Sequence, residues 1–433
     1  MAQSGILGRK SVADILASGE SSGHTLDRSL GALSITAIGV GAIIGAGIFV
    51  LTGTAAAQYA GPGIMLSFIL AGIACGFVGL CYAELAALIP VSGSTYTYTY
   101  ATLGELVAWI IGWDLILEYA MGAAAVAVGW SGYVTSLLAS FGIRIPAILA
   151  SSPGTAITLA DGTVTRGLFN FPAALIVMLL TFLLMAGTKE SARLNNVMVV
   201  IKLAVVVAFI AIGAAYVNPE NWQPLVPQNT GQFGEFGWSG VLRGAAVVFF
   251  AFIGFDAVAC AAQEAKLPQR DMPIGILGSL VVCTLLYVAV AAVLTGLVPY
   301  PKLNVPDPIA LGVDALNLPW FAILIKVGAL TGLTTVILVL LYGQSRIFFT
   351  MSRDGLLPKM FSQVHPKTQT PYRSQLLIGI CVALVAGLVP IHTLGEMVSI
   401  GTLFAFILVC TAVIYLRRVE ADRQRPFKTP AVP

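Results

Sequence analysis

Residues 38–50, Ile-Gly-Val-Gly-Ala-Ile-Ile-Gly-Ala-Gly-Ile-Phe-Val, place Gly39, Gly41, Gly45 and Gly47 in the middle of an apolar run long enough to span a bilayer. Glycine is the weakest helix former after proline, because its backbone loses most entropy on ordering and leaves the main chain uncovered. Hydrocarbon supplies no partner for open backbone, so such a stretch is tolerated only where it faces protein or a wet cavity. Two readings follow. Small residues permit close helix packing; alternatively, the helix breaks here and presents its main-chain groups to a ligand.

Composition fixes the surroundings. Hydrophobic residues make up 58% of the chain and charged residues 10%, against about 25% charged in a soluble globular domain. The chain reads as an all-α polytopic membrane protein embedded in the lipid bilayer, and its formal charge of +3 suggests no nucleic-acid partner. All six cysteines (Cys75, Cys81, Cys260, Cys283, Cys381, Cys410) fall in apolar runs without metal-ligand spacing. They read as small buried hydrophobes rather than as a disulfide framework. No cofactor or metal motif is present. Residues 1–30 are polar and lack the apolar core of a signal peptide, so they read as a cytoplasmic amino-terminal tail.

Apolar runs of about 20 residues mark membrane spans. Ten are expected, at 31–58, 62–89, 103–140, 170–188, 196–217, 241–263, 275–298, 320–349, 374–390 and 394–416. The basic residues orient them. With the amino terminus inside, 17 of the 23 Lys and Arg fall in cytoplasmic segments, while Arg144, Arg166, Arg243 and Lys302 lie outside. Lys202 and Lys326 fall within spans. That asymmetry argues for both termini in the cytoplasm, the carboxy-terminal segment 417–433 included; the expected location is the cell inner (plasma) membrane. The outer loops 141–169 and 218–240 look irregular. In residues 306–318, Ile309, Val313 and Leu316 recur at helical spacing, which predicts a short amphipathic helix over an outer vestibule.

Ten spans divide into 31–217 (spans 1–5) and 241–416 (spans 6–10). The sixth repeats the oddity of the first, because Phe-Phe-Ala-Phe-Ile-Gly-Phe-Asp (249–256) puts a glycine and an acid in mid-span. Interruptions in corresponding spans of two halves mark the binding site of an inverted-repeat transporter. Five is odd, so the halves have opposite topology. Binding therefore becomes the better reading of the glycine stretch.

Five ordered motifs then carry a resemblance. They are Gly-Ala-Ile-Ile-Gly-Ala-Gly-Ile-Phe (41–49), Tyr-Ala-Glu-Leu-Ala-Ala-Leu-Ile-Pro-Val-Ser-Gly-Ser-Thr-Tyr (82–96), Gly-Glu-Leu-Val-Ala-Trp-Ile-Ile-Gly-Trp-Asp-Leu-Ile-Leu-Glu-Tyr (104–119), Phe-Phe-Ala-Phe-Ile-Gly-Phe-Asp-Ala-Val-Ala (249–259) and Met-Ser-Arg-Asp-Gly-Leu-Leu-Pro (351–358). From about residue 28 onward the chain closely resembles the cationic amino acid transporter branch of the amino acid–polyamine–organocation superfamily. The resemblance implies a LeuT-type fold with spans one and six unwound, and secondary amino acid transport. Family members usually carry two further membrane helices after the tenth span, which this sequence does not include.

An amino acid zwitterion needs an anion hole beside a cation hole. Backbone N–H groups at Gly45, Ala46 and Gly47, heading the outer half of span one, suit the carboxylate at a positive helix end. Carbonyls at Ile43 and Ile44, with Phe250, Ala251 and Ile253 of span six, suit the ammonium, and the resemblance assigns these positions the same tasks. Lys202 lies six positions into span five. A charge at that depth costs about 2.5–3.5 kcal/mol on insertion scales and marks a functional hypothesis, with snorkelling to the interface as the bland alternative. In family members resembling this chain, such a lysine fills the sodium position of sodium-coupled relatives, which here implies an amine near Thr334 and Thr335. Burial raises the cost of holding its charge, so Lys202 is the candidate for proton coupling without sodium.

Asp256 follows the span-six break and is either a second proton site or a helix cap. Glu118, in mid-span three, is the candidate for contact with a polar substrate side chain, with Asp114 one turn away. Glu84 reads as structural, and Lys326 as snorkelling near Trp320. The side-chain subsite is expected from Ile253, Gly328, Leu330 and Thr331, an apolar lining that favours small neutral L-amino acids such as alanine. Glu118 keeps arginine or lysine as the alternative, and exchange as the alternative to proton symport. The sequence neither requires nor excludes a small membrane-protein subunit. A channel would need a polar pore or a repeated filter. An enzyme would need nucleophile or metal motifs; H-E-x-x-H does not occur, and the one G-x-S-x-G (Gly-Glu-Ser-Ser-Gly, 19–23) falls in the polar amino-terminal tail rather than between a strand and a helix. The glycines also lack the G-x-G-x-x-G register of a dinucleotide loop.

Overall fold

The computed structural model describes residues 30–90, 94–158, 164–186, 188–256, 258–259, 262, 265–316, 318–366, 368 and 370–432, and only the backbone of residues 94, 158 and 188–196. The expected amino-terminal tail lies outside the described residues except for Leu30, whose carbonyl accepts the Lys266 N–H at 2.8 Å.

Helix α1 (Ala32–Ile43) is followed by α2, residues 47–60, in which one α turn (Thr52–Ala55) sits between two wider five-residue turns. Then come α3 (Ile64–Leu88), α4 (Ser94–Thr102) and α5 (Glu105–Ser140). After the hairpin β1 (Ala156–Thr158) and β2 (Val164–Arg166) follow α6 (Phe171–Ala186), α7 (Thr188–Gly213) and α8 (Gly237–Val248). The chain continues with α9 (Pro268–Leu297), α10 (Pro308–Asp314), α11 (Pro319–Arg353), α12 (Tyr372–Leu388) and α13 (Ile391–Val419). Proline opens α9, α10 and α11, where its missing N–H would have had no helical partner in any case.

Among the described residues, six helical stretches are long and apolar enough to cross a membrane. Four more apolar helices are shorter, at Ala32–Ile43, Phe171–Ala186, Gly237–Phe252 and Tyr372–Leu388. The first and third of these end at interruptions. Bulky apolar side chains stand exposed around the girth, among them Phe77, Phe182, Val200, Leu285 and Ile407. Lipid accommodates such a surface and water does not. The protein is therefore a polytopic helical membrane protein.

The helices sort into two packed groups. α9 runs along both α3 and α1, and α3 runs along α8. α11 lies along α5 and α6, and α12 along the same pair. α7 bridges the groups through α9 and α11, and α13 bridges them through α3 and α5.

Two elements depart from the sequence expectations. The loop 141–169 contains the antiparallel β1–β2 pairing (Ala156 opposite Arg166). α4 adds a helix that the Thr/Tyr-alternating sequence does not signal, held by its buried Tyr96, Tyr98, Thr95 and Thr99. Tertiary burial here overrides modest intrinsic helix propensity. The cysteine expectation holds for Cys75, Cys81 and Cys283, which are buried, whereas Cys381 is exposed and Cys260 lies outside the described residues.

The ends of the bundle differ. At one end, α10 forms the expected short amphipathic helix and seats Pro308, Ile309, Ala310 and Val313 against the interior. This is the lid end. At the other, Arg417 of α13 makes a two-pronged ion pair with the buried Glu84 of α3, at 2.7 and 3.1 Å. The Thr429 N–H also donates to Glu84, at 2.8 Å, and Arg417 returns bonds to the carbonyls of Thr429 and Val432. Glu84 thus clasps the last residues of the chain to its third helix. Removing one charge from a buried pair strands the other, at a cost of about 3–5 kcal/mol. Glu84→Gln is expected to lower the thermal unfolding midpoint of the detergent-solubilised protein markedly. Glu420→Gln, which removes the half-exposed partner of Arg423, is expected to change stability by less than about 1 kcal/mol.

Candidate functional site

Both interruptions lie where the glycines place them, and each helix needs the other's glycine. α1 stops at Ile43, and Ile44 is extended (φ −70°, ψ 108°) while its N–H still bonds the Val40 carbonyl at 3.1 Å. α8 tightens into one narrow turn, Phe249–Phe252, before Ile253 extends (ψ 136°) and Gly254 adopts φ +112°. A Cβ at Gly47 would lie 2.2 Å from both the Cα and the Cβ of Ala251, and one at Gly254 would lie 2.9 Å from the Ala42 carbonyl oxygen. The broken segments therefore cross at van der Waals range through reciprocal glycines. The remaining glycines of the stretch also serve packing, with Gly39 on Ser279, Gly41 on Val199 and Gly45 on Val336. Close packing and a broken helix, set against each other in the sequence, occur together in the structure.

Helical register would send the N–H groups of Gly45, Ala46 and Gly47 back to the carbonyls of Gly41, Ala42 and Ile43. The turn at Ile44 breaks that register, and two of those carbonyls bond elsewhere. Lys202 of α7 is fully buried. Its ammonium donates to the Gly41 carbonyl, to the Ile44 carbonyl at 2.9 Å and to the Thr335 hydroxyl of α11 at 3.0 Å. Its three hydrogens thus meet three acceptors, two of them at the break in the first apolar segment. Snorkelling to an interface is excluded by this placement. Thr334, the other expected neighbour, instead accepts the Trp130 indole N–H at 3.0 Å.

Tyr287 of α9 was not singled out from the sequence. Its hydroxyl sits within 2.9 Å of the Ile43 carbonyl and 2.8 Å of the Ala251 carbonyl, one from each broken segment. A phenol has one proton to donate, so it bonds one of the two carbonyls at a time. The ring is flanked by Phe252 edge-on and by Phe68 at a tilt of 53°, each with its centroid at 5.3 Å. The Phe250 carbonyl accepts the Ile253 N–H at 3.2 Å. Each of these carbonyls keeps a second lone pair for another donor. A polar hydroxyl in the middle of an apolar run (Leu-Leu-Tyr-Val, 285–288) was the available signal, because a buried hydroxyl requires a partner.

The acids gather beside the break, toward the clasp end of α5. Glu118 is buried against Thr402 of α13 and shares its surroundings with Asp256 and Asp114. The Tyr119 hydroxyl donates to Asp256 at 3.1 Å. The buried Asp114 Oδ2 has no hydrogen-bond partner among the described residues. The α11 face that meets the break is Gly332, Thr335 and Val336, at helical spacings of three and four. Of the residues expected to line the side-chain subsite, Gly328 packs on Val205 of α7 instead. Ile253 lies in the break itself.

Lys326 departs from its expectation. It is buried and ion-paired with Asp314 of α10 at 3.2 Å, and it donates to the Ser140 hydroxyl at 3.1 Å. Asp314 is half-exposed and Ser140 exposed, so the buried amine is held toward the lid end by an ion pair.

The family model for amino acid permeases matches residues 30–433. The chain is 52% identical to a branched-chain amino acid permease of Bacillus subtilis, over 98% of this chain and 88% of the relative. It is 49% identical to a methylthioribose transporter of the same organism, over 96% and 87%. Against a vacuolar cationic amino acid transporter of Arabidopsis thaliana the identity is 41%, over 92% of this chain and 65% of the relative.

Proposed function

The chain belongs to the amino acid permease family, and from that premise we propose that it imports neutral aliphatic L-amino acids across the plasma membrane by proton-coupled, sodium-independent alternating access. The observation that carries the reading is the crossing of two broken helices at Gly47 and Gly254, with Lys202 holding the carbonyls of one break. On this reading the fold is LeuT-type, with ten spans in five-plus-five inverted repeats and both termini cytoplasmic. The lid end then faces outside. The uneven distribution of Lys and Arg supports that orientation.

The N–H groups of Gly45, Ala46 and Gly47 take the substrate carboxylate. The carbonyls of Ile43, Ile44, Phe250, Ala251 and Ile253 take the ammonium through their free lone pairs. Apolar neighbours at Ile253 and Val336 limit the side chain to small and branched aliphatic groups, and the similarity to a branched-chain permease supports that range. Lys202 and Asp256 are the proton sites. When Lys202 gives up its proton, it loses one of its three donated bonds and loosens its hold on the first break. Glu118 supports Asp256 through their shared buried patch and is the residue through which arginine or lysine would be accommodated.

Purified protein in liposomes tests this reading with labelled alanine, leucine, arginine and methylthioribose. The expected result is saturable uptake of alanine or leucine, accelerated by an outside-acid gradient and unchanged when choline replaces sodium. Uptake that follows sodium, or uptake of methylthioribose without any amino acid, overturns it.

A further inference from the structure

We propose that Asp307, Lys326 and Asp314 form a proton-operated latch that seats the lid helix α10, so that acid on the lid side favours its closed position. The latch is separate from the Lys202 site, and it rests on the transporter reading only for which side the lid faces.

Three elements meet here. Asp314 ends α10 and pairs with Lys326 near the start of α11. A carboxylate at a helix carboxy terminus opposes the helix dipole, so Asp314 needs that cation to stay in place. Lys326 also holds Ser140, the last residue of α5. One turn earlier on the same α5 face, Ser136 bonds the carboxylate of Asp307, the residue that precedes α10. Both ends of the lid helix are therefore fastened to the same edge of α5 and α11. Beneath it, Pro308 lies against Gly53 of α2. The Tyr133 hydroxyl of α5 donates to the Phe49 carbonyl of α2 at 2.6 Å and accepts from the N–H groups of Ile309 and Ala310. A seated lid thus bears directly on the segment that heads the proposed carboxylate site.

Asp307 is the titrating part. The charged groups facing it are Lys326 of α11 and Asp314 of α10, with Ser136 of α5 as hydrogen-bond donor. Burial outweighs the attraction of Lys326 and the Ser136 bond, and pushes the Asp307 carboxyl up from 3.8 to about 6. A lifted lid returns the group to water and to its ordinary value. The seated state then binds more protons than the lifted one, so seating strengthens as pH falls below about 6 and is indifferent to pH well above it. Between pH 7.5 and pH 5 the two values shift the lid equilibrium toward seating by about tenfold.

The experiment uses an Ile309→Cys variant of the full chain in cells, because Ile309 is buried under the seated lid. The readout is its labelling by a membrane-impermeant maleimide, divided by that of a Lys302→Cys variant to remove the intrinsic pH dependence of thiol chemistry. The expected result is a ratio that falls about tenfold from external pH 7.5 to pH 5. That fall is lost when Asp307→Asn is added. Lys326→Met raises the ratio at every pH, and Lys326→Arg restores it. A ratio that ignores pH, or one whose pH dependence survives Asp307→Asn, overturns the latch. Labelling needs no substrate, so a chain that moved no amino acid would sink the transport reading and leave this result standing.

Discussion

Lys202→Met is expected to abolish the response of uptake to a pH gradient and to reduce uptake itself by more than tenfold. Methionine keeps most of the volume of lysine and none of its donors. Among the bonds lost are those to the carbonyls of Gly41 and Ile44 on either side of the turn. Each buried acceptor left without a donor costs about 1–3 kcal/mol. Two such acceptors are enough to move the balance between cycle states by more than a factor of ten. Thr335 suffers less, because its hydroxyl still donates to the Gly332 carbonyl at 2.7 Å. Proteoliposome uptake measured with and without an outside-acid gradient checks the result. Transport that keeps its full acceleration by acid removes Lys202 from the coupling mechanism, whatever its structural part.

Gly47→Ala carries the second large effect. One methyl group placed 2.2 Å from the Cα of Ala251 meets backbone, which no rotamer change relieves. The broken segments must move apart by more than an ångström, and overpacking of this kind costs about 1–3 kcal/mol even where side chains can yield. Transport is expected to fall at least a hundredfold while the protein still inserts and folds. Gly254→Ala combines a shorter obstruction with a left-handed backbone at φ +112° and is expected to behave alike. Gly76 in α3 and Gly395 in α13 serve as controls, because a Cβ at either meets no heavy atom of another element within 4 Å among the described residues. Alanine there is expected to leave uptake intact and to add up to about 1 kcal/mol of helix stability. Loss of transport in all four variants alike would show that the crossing of the two segments is not special.

How much of this was legible depended on distance along the chain. The interruptions at 44–45 and 253–254 were readable because glycine acts on its own backbone. The short helix over residues 306–318 was readable because Ile309 and Val313 carry helical periodicity. What faces what was harder. Tyr287 reaches a carbonyl 244 positions away, and nothing in its neighbours announces that. Lys326 looked like a boundary residue because apolar context alone places a lysine tip at the nearest interface. Asp314, on another element, covers that tip and pairs with it at the lid end. The expected lining residue Gly328 failed for a related reason: the rotation of α11 is set by Val205 and Lys202 of α7, whose directions emerge only when the helices pack. Carbonyls proposed for an ammonium turned out to share a tyrosine proton, a partner that backbone logic does not supply.

The clasp at Glu84 has a consequence for biogenesis. Its partners Arg417 and Thr429 are 333 and 345 positions later in the chain. A ribosome delivers them only once α13 has been made. Until then the acid on the third helix lacks its counter-charge. Closing the clasp therefore waits for α13, and a nascent chain halted before residue 417 would leave Glu84 without its counter-charge.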